Sequence, residues 1–321
     1  MLIGVLLLTP AGAHVGGTVG HLWKKHIRPK AVKTFYTKQQ SNKRFVNTGE
    51  KASDADRIDG LDSTAFLKSY GHTIVVGGEG TPEQNGTALL NAMDGIVGND
   101  SANRFLIRLE PGTYDLGSDK LIIKPWVDIE GAGELVTTIR REGFADTTAS
   151  DAAVLGNNGE LRFLSIVSPG AGSDHATGLR TGTNTQLTHV RFQVNGAAIS
   201  NTAIRVIADF PVFRDIWVIV SAPSGAEAVG IASSRNPYLA GSLVQAGGDG
   251  SSTAIKVTDH SFNIENSVLV GGTNSVNADP LGAVQIGASR VVGAVTTGGT
   301  ATVKCASSYN GIFDELDAAC A

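Results

Sequence analysis

Four side chains with complementary chemistry sit at matching places in two successive apolar segments: His189 and Arg191 in LTHVRFQV, Asp215 and Trp217 in FRDIWVIV. A carboxylate and an imidazole can move protons, a guanidinium can pair with an anionic group, and an indole offers a flat face for a sugar ring. If Val190 and Ile216 occupy one place in successive strands, period-two alternation turns their neighbours to one outer face, with strands roughly 4.8 Å apart. Such a group suits a sugar polymer carrying carboxylates. Asp215, His189 and Arg191 are then the candidates for chemistry, and Trp217, Arg191, His189 and Asp215 the candidates for ligand contact. An ordinary cross-strand ion pair beside a surface aromatic accounts for the same residues.

The elements that would position these side chains show as a repeat. Leu164, Val190, Ile216, Leu243, Val268 and Val292 recur at intervals of 24–27 residues by subtraction, and Leu179, Ile204, Ile231, Ile255 and Ile286 form a second column at a similar spacing. Two columns drifting together at one period imply a solenoid whose coils bury their apolar side against the next coil. With the first column pointing inward, Ser165, Arg191, Trp217, Val244 and Leu269 point outward, and so do Phe163, His189, Asp215, Ser242 and Ser267. The outward apolar set Trp217, Ile219, Val244 and Leu269 reads as a stripe that a partner subunit or the tail could cover, giving a homo-oligomer. Asp209, Arg235, Asp259 and His260 follow the second column and read as a structural charge ladder.

Composition agrees with that architecture. The chain has 321 residues, 40 of them glycine, only 6% aromatics and a formal net charge of -4, a diet of short strands and corners with nothing to attract nucleic acid. Residues 1–13 combine the apolar run Leu2–Leu8 with Ala11-Gly12-Ala13 and read as a signal peptide, although a basic start is missing. That run is too short to span a bilayer. Residues 14–70 are first basic (Lys24, Lys25, Arg28, Lys30, Lys33, Lys38, Lys43, Arg44), then acidic, and read as a connector or stalk. Residues 71–321 hold the repeat. The two cysteines, Cys305 and Cys320, lie close together near the end, and in an exported chain they read as a disulfide closing the tail.

Before the repeat, Tyr70–Val76 reads as a strand, and Thr81-Pro82-Glu83-Gln84 opens a helix near 82–97 with Leu89, Leu90 and Met93 on one face. A β-helix needs its open end covered, and this helix is the expected lid. From Phe105 to Ile139 short strands alternate with corner chemistry at Pro111-Gly112 and Gly131-Ala132-Gly133.

In that stretch the residues Ile107, Leu109, Pro111-Gly112-Thr113-Tyr114, the run Leu121–Ile123, Pro125-Trp126, Val127-x-Ile129-x-Gly131-x-Gly133 and Thr137-Thr138-Ile139 resemble the opening coils of the pectin methylesterase branch of right-handed parallel β-helices. The resemblance covers roughly residues 81–140 and speaks to fold more than to activity. The Q-D-T-L-like and V-D-F-I-F-G-like segments that would supply that family's paired aspartates are absent, and Phe213-Arg214-Asp215-Ile216-Trp217 is a faint echo. Neither the acidic calcium cluster of pectate lyases nor the G-H-G of polygalacturonases is present, and no G-x-S-x-G, H-E-x-x-H or phosphate loop occurs. Separately, Ala55-Asp56-Arg57-Ile58-Asp59-Gly60-Leu61-Asp62-Ser63-Thr64-Ala65-Phe66 resembles the A-D-x-x-D-G-x-x-S-x-x-F connector of bacterial surface proteins and phage tail fibres.

The sequence therefore leads to an all-β, single-stranded right-handed parallel β-helix with a capping helix, an N-terminal connector and a disulfide-closed tail. The expected role is structural, adhesive or polysaccharide-binding at the cell surface or after secretion, with no cofactor, no metal and no nucleic-acid partner. A divergent pectin-type enzyme acting through Asp215 with His189 and Arg191, and a trimeric fibre-like assembly protein, are the alternatives.

Overall fold

Each coil begins with an apolar-polar alternation that the backbone breaks once. Gln186–Asn195 is one such strand: Leu187, Val190, Phe192 and Val194 are buried, and a left-handed residue, His189 at φ 51°, bends the chain between Thr188 and Val190. In this computed structural model the described residues are 57–58, 61–62, 70–142, 151–170 and 173–320. From Tyr70 onward they form a right-handed parallel β-helix. Arg57–Ile58 and Leu61–Asp62 pair antiparallel. The expected signal peptide and most of the connector lie outside the described residues.

Three parallel ladders run along the solenoid. The first holds the segments before each left-handed corner and stacks Leu161, Leu187, Phe213, Leu239, Ile264, Ile286 and Cys305. The second follows the corner and stacks Ile166, Phe192, Val218, Val244, Leu269 and Val291. The third stacks Leu179, Ile204, Ile231, Ile255 and Val276. All of these side chains are buried in one core, and each fully buried aliphatic or Phe side chain contributes about 1.5–3 kcal/mol.

The corner itself is a stacked column. Phe163, His189, Asp215, Gly241, Asn266, Ala288 and Ser307 all lie at φ between 47° and 62°. Left-handed backbone costs a residue with a Cβ roughly 1–2 kcal/mol, and the neighbouring position supplies a compensation. Ser242, Ser267 and Ser289 each donate a hydroxyl at 2.7 Å to the carbonyl two residues earlier and accept a backbone N–H from the preceding rung at 3.1–3.2 Å; Ser308 does the same at 3.2 and 3.3 Å. This hydroxyl ladder satisfies buried N–H groups that the bend removes from the sheet.

The ladder corrects the first sequence column. Leu164 and Val190 are in register, but the next rungs after Ile216 are Ser242 and Ser267; Leu243 pairs with Trp217 and Val268 with Leu243. Leu243 and Val268 therefore face outward and are half-buried, whereas Val244 and Leu269, expected outside, are buried. The proposed outer stripe keeps Trp217 and Ile219 and loses Val244 and Leu269. Ser242 and Ser267, also expected outside, are 4% and 2% exposed. In the second column Leu179, Ile204, Ile231 and Ile255 hold register, while Ile286 belongs to the first ladder, opposite Ile264.

At the N-terminal end His72–Val76 starts the first ladder, and helix α1, Pro82–Asp94, packs over the strands that open the other two. Thr81 caps it in a reciprocal capping box with Gln84, and Leu89 and Met93 are buried. A Cβ at Gly86 would overlap the Asp115 carbonyl, so the close approach of helix to strand requires glycine there. At the other end Cys305 and Cys320 are joined by a disulfide across a separation of 15 residues.

Candidate functional site

The corner column and the strand beyond it place the sequence candidates on one edge of the solenoid. Arg191 and Trp217 are register partners, with the guanidinium carbon 5.0 Å from the centre of the indole. His189 stacks on Phe163 one rung away, ring centres 5.3 Å apart and planes inclined by 14°. The left-handed bend is what turns both rings outward together, since Phe163 and His189 share it at φ 55° and 51°. Trp217 is 39% exposed and Phe163 40%.

Facing these rings is the bend Gly131–Val136, which the sequence reading took only as a corner. It is anchored to the column: the Gly131 N–H donates to the Arg162 carbonyl at 3.0 Å, the Gly133 N–H to the Phe163 carbonyl at 2.9 Å, and the Ser165 hydroxyl to the Glu134 carbonyl. A Cβ at Gly131 would collide with the Phe163 carbonyl, which accounts for the first glycine of that motif. Between bend and column lies a cleft of about 470 Å³ lined by Ala132, Gly133, Glu134, Leu135, Val136, Phe163, His189 and Trp217.

Glu134 is the member that sequence reasoning missed. Its carboxylate lies 3.6 Å from His189 Nδ1, so the imidazole pairs with Glu134. Asp215 occupies the next corner position at φ 52° and is exposed, and its carboxylate lies against Gly241, where any side chain would clash with it. Among the described residues no ion pair joins Asp215 to His189 or Arg191. The structure therefore brings His189 and Trp217 together in the cleft, adds Phe163 and Glu134, and leaves both Arg191 and Asp215 outside the lining, Arg191 lying against the Trp217 ring. The Glu134 signal could not be found by alternation, because the residue belongs to an insertion in the coil with no counterpart one period later.

The cleft is an aromatic platform with a charged rim. Two ring faces and the apolar edges of Leu135 and Val136, 74% and 50% exposed, can take the faces of a pyranose chain, while Glu134 and His189 offer hydrogen bonds at its sides. In the second charged set Arg235 approaches Asp209 at 3.9 Å and His260 Nδ1 lies 3.0 Å from the carboxylate of its neighbour Asp259, all four at the surface.

No family model matches the sequence, and no curated protein matches it. Solved structures do. A pectin methylesterase from Aspergillus niger is similar with a TM-score of 0.55 and 14% identity, over 75% of this chain and 86% of that one. The chain adopts the pectin lyase-like β-helix fold. A pectin methylesterase from carrot (TM-score 0.50, 12% identity, 76% and 84% of the two chains) and the pectate lyase Pel9A (TM-score 0.50, 14% identity, 76% and 70%) share it. At these identities the likeness is one of fold, so function has to be argued from the residues of the cleft.

Proposed function

We propose that this chain binds a polysaccharide, with sugar rings stacked on Trp217 and Phe163 and a carboxylate of the polymer paired with Arg191. The single observation that carries the reading is the cleft in which two half-exposed aromatic rings and a neighbouring imidazole and carboxylate converge, with the Arg191 guanidinium against the Trp217 ring beside it. A rigid platform of this kind gains affinity because little side-chain freedom is lost on binding. The Cys305–Cys320 disulfide supports a protein that works in an oxidising compartment, secreted or at the cell surface. Among the described residues no helix is long and apolar enough to cross a membrane.

The role is presentation and adhesion along a stiff solenoid. Screening the protein on a glycan array beside Trp217→Ala tests it: binding of uronate-containing glycans that the variant loses supports the reading, and a blank array for the unaltered protein opposes it. One observation favours catalysis instead. His189 Nδ1 and the Glu134 carboxylate lie 3.6 Å apart, a separation that has to tighten on substrate before a proton can pass, so the alternative of a pectin-type enzyme predicts turnover of methyl-esterified polygalacturonate, abolished in His189→Ala or Glu134→Gln.

A further inference from the structure

On a different face, the third ladder stacks His175, Ser200, Glu227 and Ser251 in register at the first position of consecutive strands. Ser200 Oγ and His175 Nδ1 lie 2.8 Å apart, both half-buried. They sit in a cleft of about 700 Å³, whose rim is made by the short bends before each strand, including Gly225, Ala226 and Gly250. Neither residue belongs to the aromatic cleft described above.

We propose that Ser200 is a nucleophile and His175 its general base, forming an esterase site for short-chain O-acyl esters. A hydroxyl is a poor nucleophile until a base within hydrogen-bond reach takes its proton, and 2.8 Å is that reach. With the imidazole proton on Nε2, Nδ1 accepts the Ser200 hydroxyl proton as Oγ bonds to the ester carbonyl carbon and the carbonyl electron pair moves to oxygen. Return of that pair expels the alcohol, which takes the proton from the imidazolium and leaves an acyl-serine. Water, deprotonated by His175, then releases the acid and restores Ser200.

The surroundings fit that chemistry. Ser200 is fixed rather than free: the Ile199 and Ser200 N–H groups both donate to the Asp174 carbonyl, at 2.8 and 3.1 Å, and the buried Asn201 side chain closes the preceding bend on Ala197 with two bonds of 3.0 and 3.1 Å. Glu227, one rung beyond, is paired with Lys256 at 2.6 Å, and the exposed Asp249 lies farther along the same cleft. Among the described residues the N–H group of Gly225, in the bend before the adjacent rung, enters no hydrogen bond and lines the cleft. At Gly225 nothing lies within 4 Å of where a Cβ would sit, which leaves room for a short acyl group on that side of the rim.

The inference stands apart from polysaccharide binding at Trp217 and is tested separately. The full-length protein is treated with a fluorophosphonate probe and mapped by peptide mass spectrometry, and its hydrolysis of p-nitrophenyl acetate is followed for the unaltered chain, Ser200→Ala, His175→Ala and, as a control at an exposed serine of the second ladder, Ser221→Ala. Expected are covalent labelling at Ser200 and hydrolysis lowered by about 100-fold or more in the first two variants, with Ser221→Ala unchanged. Labelling at another residue or at none overturns the proposal without reliance on any variant, as does a folded Ser200→Ala that hydrolyses like the unaltered protein.

Discussion

Arg191 lies over Trp217, its guanidinium carbon 5.0 Å from the ring centre, and the two belong to adjacent rungs of the second ladder. The contact holds the indole in place from one side while leaving the ring 39% exposed. A cation over an aromatic ring at an exposed site contributes about 0.5–1 kcal/mol, too little to explain the pair as a device for stability.

Replacing Arg191 by Gln is therefore expected to leave the melting temperature within a few degrees of its starting value. It should weaken binding of uronate polymers about tenfold and binding of neutral glycans much less. Paired affinity measurements on acidic and neutral oligosaccharides, repeated at high salt to screen the Arg191 charge, check this.

The serine ladder predicts a stability cost without any change at the surface. In Ser267→Ala the Ser242 N–H loses its acceptor at 3.2 Å inside the solenoid. A buried donor left unpaired costs about 1–3 kcal/mol. Denaturant unfolding should show a lowered midpoint at unchanged slope, whereas Gln193→Ala, on the outer face of the second ladder, should move it by less than about 0.5 kcal/mol.

Near the helix-capped end a fully buried carboxylate organises a polar network. Asp128 accepts hydrogen bonds from Tyr70 at 2.7 Å, from Arg104 at 3.1 Å and from the Glu160 N–H at 2.8 Å. Arg162 then bridges Glu130 and Glu160, each at 2.8 Å. Asp128→Ala leaves Arg104 facing no countercharge at that position and is expected to cost about 3–5 kcal/mol in unfolding free energy.

The same network sets an alkaline limit. Burial, with the hydrogen bond to Asp128, pushes the Tyr70 phenol up to about 12; burial, with the charge of Glu110, does the same for Tyr114. Unfolded phenols ionise near pH 10. Between about pH 10 and 12 the folded chain holds protons that the unfolded chain has released, so stability that is full below pH 10 falls as the pH rises through 12. Thermal melts across that range should show the decline, and Tyr70→Phe should make it shallower.

The parallel β-helix was legible because its period is written in large apolar residues: Leu179, Ile204, Ile231 and Ile255 are aligned in sequence as they are in space. Register beyond Ile216 was not legible, for two physical reasons. A buried serine that bonds only to backbone has the same letter as a surface serine, so Ser242 and Ser267 were passed over for Leu243 and Val268. The coils also shorten, with successive serine-ladder separations of 26, 25, 22 and 19 residues, so a fixed period drifts off the fold. At the site, the alternation found His189, Arg191 and Trp217 but implied that Asp215 joined them. The left-handed corner places Asp215 against Gly241, and the carboxylate near His189 comes from Glu134 in a bend outside the repeat.

Calorimetric titration of the unaltered protein and of Trp217→Ala with oligogalacturonate tests the central claim most directly. Saturable binding by the first, weakened at least tenfold in the second at an unchanged melting temperature, is the predicted result. Equal affinity for both proteins, or no heat of binding to the unaltered one, would contradict it.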